Sequence, residues 1–135
     1  MPTSTRKIKY GDFMSKRICF ICDYVNSKHY KFNDLINCKY YDLINAENET
    51  TFTIKINDKV FFSTSGFNIL EFLLRIAQWE INKGDMIYNC IDTNDNPLIS
   101  FIEKDGFYRI HSAWQEFECK EKFDFSELIS VKEIL

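Results

Sequence analysis

Hydrophobic and polar residues alternate along several short stretches of this chain. In residues 51–56 the even positions are Phe and Ile, whereas the odd positions are Thr and Lys. This period of two predicts a half-buried β-strand. Asn57 and Asp58 then supply a two-residue turn, so that residues 59–63 are expected to return antiparallel as the second strand of a hairpin.

A longer stretch, residues 68–83, has the period of an amphipathic helix. Its polar stripe consists of Glu71, Arg75, Gln78 and Asn82. The remaining positions are mostly Ile, Leu, Phe, Ala and Trp, so the helix is predicted to lie across a sheet and to form the main part of the core. Asn68 is expected to be its N-cap, with Glu71 completing a capping box, and Gly84 is expected to end it.

Two local contacts are predicted along this helix. Phe67 is expected to pack on Phe72 across the N-cap as a hydrophobic staple. Glu71 and Arg75 have the spacing of a favourable ion pair one turn apart, which contributes about 0.2–0.5 kcal/mol.

The clearest hairpin signal is Asp105-Gly106, which lies between the apolar stretches 98–103 and 107–112. With these two residues as the loop, the cross-strand partners are Phe101 with Ile110, Ser100 with His111, and Ile102 with Arg109. The first pair is expected in the core, and the other two pairs are expected on the opposite face.

The other elements are predicted from shorter patterns. Strands are expected at residues 17–25, 86–91 and 114–122, a short helix at 32–43, a turn at 94–97, and a short helix at 125–135 that Asp124 or Ser126 caps. Residues 1–16 are expected to be a mobile arm or an edge strand. The fold class that follows is α+β: a mostly antiparallel sheet of five to six strands packed against one main helix, with a short C-terminal helix, in a single domain over residues 1–135.

Composition agrees with one globular domain, since the 135 residues are 45% hydrophobic and 27% charged. The longest apolar stretch, residues 67–81, contains five polar residues and falls short of the roughly 20 apolar residues that a membrane span needs. The basic residues near the N-terminus are not followed by an apolar segment, so no secretory signal is expected and the predicted location is cytoplasmic. The five cysteines are scattered, which favours reduced thiols.

No metal or cofactor is predicted. Residues 92–103 resemble a calcium loop, but Pro97 stands where that loop needs a glycine. Cys19 and Cys22 have the spacing of half a zinc site, yet the other cysteines and the two histidines are isolated in the sequence.

Charge is divided unevenly along the chain. Residues 1–41 hold 8 Lys and Arg against 3 Asp and Glu, whereas residues 42–135 hold 9 against 17. This distribution argues against a nucleic-acid-binding protein and favours a basic partner for the acidic part, although an acidic surface that only maintains solubility explains it as well. A basic arm that contacts nucleic acid is a third interpretation, carried by Arg6, Lys7, Lys9, Lys16 and Arg17.

The predicted strand 114–122 places Trp114, Glu116 and Glu118 on one face. An aromatic side chain surrounded by carboxylates suits the recognition of a basic protein surface. We therefore predict that these three residues form a contact surface, with Tyr108 and Arg109 as neighbours. The alternative is that Trp114 is simply buried and the glutamates are solvated.

A set of short motifs in the C-terminal half supports this interpretation. The motifs are residues 97–101 (Pro-Leu-Ile-Ser-Phe), Asp105-Gly106, residues 110–112 (Ile-His-Ser) and residues 114–118 (Trp-Gln-Glu-Phe-Glu), followed by an acidic helix. This half resembles small bacterial immunity proteins of polymorphic-toxin systems, including contact-dependent growth inhibition. The resemblance implies a cytoplasmic inhibitor that catalyses no reaction and binds a cognate toxin domain, often a basic nuclease.

The rival hypothesis is a small cytoplasmic enzyme or a ligand-binding domain. It would use a pocket between the helix at residues 68–83 and the sheet, with His111 as acid or base. No motif of nucleophilic or phosphate-binding enzymes accompanies His111, so no catalytic residue is assigned.

Overall fold

A computed structural model of the chain describes residues 16–24 and 50–134. These residues form β1 (Ile18–Tyr24), β2 (Thr50–Ile56), β3 (Lys59–Ser65), α1 (Ile69–Asn82), β4 (Met86–Tyr88), β5 (Ile99–Lys104), β6 (Phe107–Ser112) and α2 (Phe125–Ile129), and a 3₁₀ helix, Ser130–Ile134, follows α2. The helix predicted at residues 32–43 and nearly all of the predicted arm at residues 1–16 lie outside the described residues.

The α+β class and the expectation of up to six strands are confirmed, but the prediction of a single sheet is wrong. The described strands form two antiparallel three-stranded sheets, in the orders β1-β2-β3 and β4-β5-β6. Helix α1 separates them in the chain and packs on both. Its Phe72 ring lies 5.5 Å from Phe52 of the first sheet, and its Trp79 ring lies 5.4 Å from Phe101 of the second. The sheets therefore share a hydrophobic core without sharing a strand ladder.

The hairpin predicted between residues 51 and 63 is confirmed as β2 and β3. Asn57 and Asp58 both have positive φ, at 51° and 67°, as a tight two-residue hairpin turn requires. The Phe and Ile residues at the even positions of β2 are buried. A register shift after Ile54 leaves Phe61 as an extra residue of β3, and this bulge allows the consecutive Phe61 and Phe62 both to be fully buried.

Helix α1 begins as predicted. The Asn68 side chain accepts a hydrogen bond from the Glu71 amide at 3.1 Å, and the Phe67 and Phe72 rings pack edge to face at 5.7 Å. At the other end, Lys83 already has a positive φ of 58°, one residue before Gly84. Six hydrophobic residues of α1 are buried in the shared core, namely Ile69, Leu70, Phe72, Leu73, Ile76 and Trp79, whereas Leu74 and Ala77 are half-buried and Ile81 is exposed.

The side chains of Glu71 and Arg75 do not form the predicted contacts. Glu71 accepts a hydrogen bond from the Tyr88 hydroxyl at 2.7 Å instead of completing a capping box, and Arg75 Nε donates to the Ile87 carbonyl at 2.9 Å instead of pairing with Glu71. The reason is that β4 runs beside the first turns of α1. The buried Tyr88 hydroxyl needs an acceptor there, and the Glu71 carboxylate supplies one.

The second predicted hairpin is confirmed with its register. Phe101 pairs with Ile110 in the core, and both are at most 3% exposed. The pairs Ser100 with His111 and Ile102 with Arg109 occupy the opposite face. Asp105 and Gly106 have φ values of 55° and 83°, the left-handed backbone that this turn demands.

The strands predicted at residues 86–91 and 114–122 need correction. Strand β4 ends at Tyr88, because the Asn96 side chain bonds both the amide and the carbonyl of Cys90 and bends the chain into a loop.

Residues 113–122 form no strand. Phe123 makes an isolated bridge with Tyr108 of β6, and the Glu116 amide donates to the Phe61 carbonyl of β3 at 2.8 Å. A segment that contacts two different sheets in turn cannot build a continuous ladder with either.

The C-terminal helix is confirmed and divides into two parts. Asp124 is its N-cap and forms a capping box with Glu127. Helix α2 is followed directly by the 3₁₀ helix, and Leu128 and Val131 anchor the two parts in the core.

Candidate functional site

Trp114 occupies a fixed position at the surface. Its amide donates to the Ser112 hydroxyl at 3.0 Å, and its indole Nε1 donates to Asp95 Oδ2 at 2.8 Å. The indole ring is parallel to Phe62, with an interplanar angle of 6° and a centroid distance of 6.3 Å. The side chain is nevertheless 39% exposed. The indole ring is therefore fixed by the hydrogen bond of its nitrogen and by the Phe62 ring beside one of its faces. Part of the tryptophan side chain remains exposed to solvent.

The loop that carries Asp95 is ordered by its own side chains. Asn96 Nδ2 donates to the Thr93 carbonyl at 2.8 Å, and the Asp95 amide donates to the Thr93 hydroxyl at 3.0 Å. The Asn96-Pro97 peptide bond is cis. The two hydrogen bonds to Thr93 set the direction in which the Asp95 carboxylate reaches Trp114. The sequence pattern around Asp95 indicates only a turn and contains no signal for a contact with Trp114, since the two residues are 19 positions apart.

Glu116 and Glu118 are exposed, as predicted, although their segment is not a strand. The residues between and after them point inward: the Phe117 ring packs edge to face on Phe61 at 5.5 Å, and Cys119 is 5% exposed. Burial therefore still alternates along residues 115–119. We use the term acidic–aromatic surface for Asp95, Trp114, Glu116 and Glu118.

The two predicted neighbours of this surface are in different environments. Tyr108 is only 4% exposed and packs edge to face on Trp79 at 5.3 Å, so its side chain belongs to the core and not to a contact surface. Burial raises the pKa of its hydroxyl. Arg109 is exposed on the opposite face of β6 and pairs across the hairpin with Ile102.

The two basic residues at the start of the described chain have intramolecular partners. Arg17 donates to both carboxylate oxygens of Glu127, at 2.7 and 3.1 Å, and to Glu121 at 3.2 Å. The hydrogen bonds to Glu127 are the main cause that raises the pKa of the Arg17 guanidinium. Lys16 lies 3.6 Å from Glu133. These two cations therefore bind this chain's own carboxylates, while the other three residues of the proposed basic arm lie outside the described part.

His111, the residue of the rival hypothesis, is exposed on β6. A cavity of about 340 Å³ does lie between α1 and β4, but His111 is not among the residues that line it.

Within residues 16–24 and 50–134, no three side chains of His, Cys, Asp or Glu come together in a way that suits a metal ion. Neither helix of the described part has the length and apolar character required to cross a membrane.

The chain has no significant match among curated proteins or solved structures. A family model described as a domain of unknown function, DUF7878, matches residues 25–135, which include the whole acidic–aromatic surface. The chain therefore belongs to the DUF7878 family.

Proposed function

We propose that this protein is an immunity protein, which binds a cognate bacterial toxin domain and neutralises it without any reaction of its own. The contact surface in this proposal is the acidic–aromatic surface, and the proposed location is the cytoplasm. The observation that carries the proposal is the environment of Trp114: its ring is oriented by Asp95 and Phe62, remains 39% exposed, and is followed by the exposed Glu116 and Glu118.

Physical chemistry supports such a surface as a binding site. An aromatic side chain that is already held in one orientation loses little conformational entropy when a partner covers it, so more of its buried area contributes to affinity. Carboxylates around the aromatic ring attract a basic partner over long distances and accelerate association. The partner that fits best is a toxin domain with a basic cleft, such as a nuclease, in which the glutamates occupy the positions of substrate phosphates.

The proposal predicts that a large secreted protein is encoded next to this gene, and the direct test uses the C-terminal domain of that protein. The domain is produced in bacteria with and without this chain, and growth and binding by isothermal titration calorimetry are measured. We expect restored growth and a one-to-one complex. Absence of both protection and binding would refute the proposal.

The site is tested by reversing its charge. In the double variant Glu116→Lys/Glu118→Lys, we expect the Kd for the toxin domain to rise about tenfold or more, mainly through slower association, and we expect the rate to depend less on salt. The matched control is Asp23→Lys/Glu103→Lys, which changes the net charge equally at two exposed strand positions. Equal weakening in both double variants would show that only the net charge matters.

A further inference from the structure

A second feature with the character of a binding site is the cavity of about 340 Å³ between α1 and β4, a surface depression that is wide open to solvent. Its wall includes the charged side chains of Glu71 and Arg75 and the half-buried apolar side chains of Leu74 and Ile87. It shares no residue with the acidic–aromatic surface.

The two charged groups in this wall are held separately. The Glu71 carboxylate is fixed through Oε1 by the hydroxyl of Tyr88, a residue that is only 1% exposed. The Arg75 guanidinium is fixed through Nε by the Ile87 carbonyl. Within the described residues, Glu71 Oε2 and both Nη atoms of Arg75 make no hydrogen bond or ion pair. One carboxylate oxygen and two guanidinium donors therefore remain available beside the cavity.

The spacing of these groups limits what they can bind together. Residues four positions apart on a helix lie on one face, with their Cβ atoms about 5–6 Å apart. Side chains in this arrangement usually pair with each other, yet here each is tied to β4. A small molecule that carries an ammonium group and a carboxylate group can contact both charges at once. Leu74 and Ile87 add an apolar surface for the rest of such a molecule.

We propose that this cavity binds a free amino acid with an aliphatic side chain. The ammonium group of the amino acid donates to Glu71 Oε2, and its carboxylate accepts from the Nη atoms of Arg75. The aliphatic side chain lies against Leu74 and Ile87. No bond is made or broken, so the site is a binding site only.

The experiment is a titration of the full chain, labelled with ¹⁵N, with L-leucine up to about 10 mM, which saturates a site with a Kd of about 1 mM. We expect saturable amide shifts in residues 71–78 and 87–89. Leucinamide lacks the carboxylate and N-acetylleucine lacks the ammonium group, and each is expected to bind about tenfold more weakly or worse. Absence of saturable shifts with leucine, shifts confined to other residues, or equal binding of the three compounds would each overturn the proposal.

A variant assigns the effect to the cavity. Glu71→Gln keeps an acceptor for Tyr88 and removes the charge, so we expect an unchanged melting temperature and about tenfold weaker leucine binding. The matched control is Glu103→Gln, which removes one exposed charge outside both the cavity and the acidic–aromatic surface and is expected to leave leucine binding unchanged. Equal weakening in both variants would contradict the site. Toxin binding by Glu71→Gln is measured in parallel, because it reports on the acidic–aromatic surface. A failure of the proposed toxin-binding surface can then be told apart from a failure of the proposed leucine site.

Discussion

At the scale of single residues, Arg17 shows how one side chain connects distant parts of this fold. Its guanidinium contacts Glu121, Glu127 and the Lys122 carbonyl, and it lies 4.8 Å from the centre of the Phe123 ring. Its backbone carbonyl accepts the Asn57 amide at 2.8 Å. The planar group of an arginine can make all these contacts together, whereas the ammonium group of a lysine cannot.

We expect Arg17→Met to lower the free energy of unfolding by about 1–2 kcal/mol, because several hydrogen bonds to carboxylates are lost while the aliphatic packing is kept. The expected loss is moderate because the Arg17 side chain is 43% exposed, and solvent weakens its ion pairs. Urea denaturation measures the change. Lys16→Met is the control: the ion pair of Lys16 with Glu133 is more exposed and longer, so the effect of this substitution should stay below about 0.5 kcal/mol. Similar losses in the two variants would contradict the special role of Arg17.

At the scale of secondary-structure elements, two turns of similar geometry differ in their residues. Asp58 and Gly106 both stand at the second loop position of a two-residue hairpin, with φ values of 67° and 83°. Glycine adopts this left-handed backbone readily, whereas a residue with a Cβ atom is strained there. The β2-β3 turn therefore contains strain that the β5-β6 turn avoids.

Exchanging the two residues should change stability in opposite directions. We expect Asp58→Gly to raise the free energy of unfolding by about 0.5 kcal/mol and Gly106→Asp to lower it by about 0.5–1 kcal/mol. Thermal and urea denaturation of each variant provide the measurement. A Cβ at Gly106 would meet nothing within 4 Å, so a loss there reports on backbone strain and not on a clash. If both substitutions destabilise the protein, turn geometry is not the cause.

The cap of α2 has a pH dependence whose sign follows from Asp124. Hydrogen bonds from the Glu127 amide and the Ser126 hydroxyl hold the pKa of Asp124 below its usual value. A carboxyl group with a lowered pKa in the folded state stabilises the fold above its unfolded-state pKa of about 3.9, and this stabilisation disappears as the pH falls through the folded-state value.

We therefore expect Asp124→Ala to cost about 1 kcal/mol near neutral pH, and the difference from the wild type to shrink below about pH 4. Urea denaturation across this range tests the expectation. Asp124→Asn is the control, because its uncharged side chain accepts the same hydrogen bond at every pH, so its advantage over alanine should not shrink. A wild-type advantage that is constant down to about pH 3 would argue against the carboxylate as its source.

The elements that were predicted correctly are those whose bounds and register depend on residues close to them in the chain. The register of β5 and β6 follows from Asp105-Gly106 alone, and the start of α1 follows from Asn68 and Phe67. The prediction failed where a distant group competes for a side chain. Glu71 and Arg75 had the right spacing for each other, but β4 brings Tyr88 and Ile87 closer, and the sequence contains no signal for that approach.

At the scale of the whole molecule, helix α1 connects two sheets through aromatic side chains. Phe72 contacts Phe52 and Tyr88, which belong to different sheets, and Trp79 contacts the second sheet as well as Phe125 of α2. Because Trp79 and Phe72 are at most 1% exposed, opening either sheet exposes part of the common core. The two sheets should therefore unfold together.

This cooperativity can be measured with one tryptophan. The chain contains 2 tryptophans, so Trp114→Phe leaves Trp79 as the only reporter of the core. We expect its fluorescence and the far-UV circular dichroism to change at the same urea concentration, as for a single two-state transition. A circular-dichroism transition that precedes the fluorescence change would indicate that one sheet unfolds alone. The two-sheet arrangement itself was not predictable, because hydrophobic periodicity identifies the buried face of a strand but not its partner.

The candidate site was predictable from the sequence only in part, because the sequence indicates which side chains are buried but not which distant residues they contact. Alternation along the sequence correctly placed Glu116 and Glu118 at the surface, since burial depends on the side chain and not on strand pairing. Tyr108 was misplaced because its burial depends on Trp79, which comes from a different element. The contact between Asp95 and Trp114 depends on two loops that only the folded chain brings together.

The segment that carries Trp114 also affects how separate molecules behave toward one another. It bonds Phe61 on the outer side of β3 and Tyr108 on the outer side of β6, which are the sides where each sheet would otherwise continue. Uncovered edges of this kind recruit strands from other chains and start aggregation. Residues 113–124 cover part of these two edges, and we expect substitutions that release them to reduce solubility at high concentration before they reduce helix content.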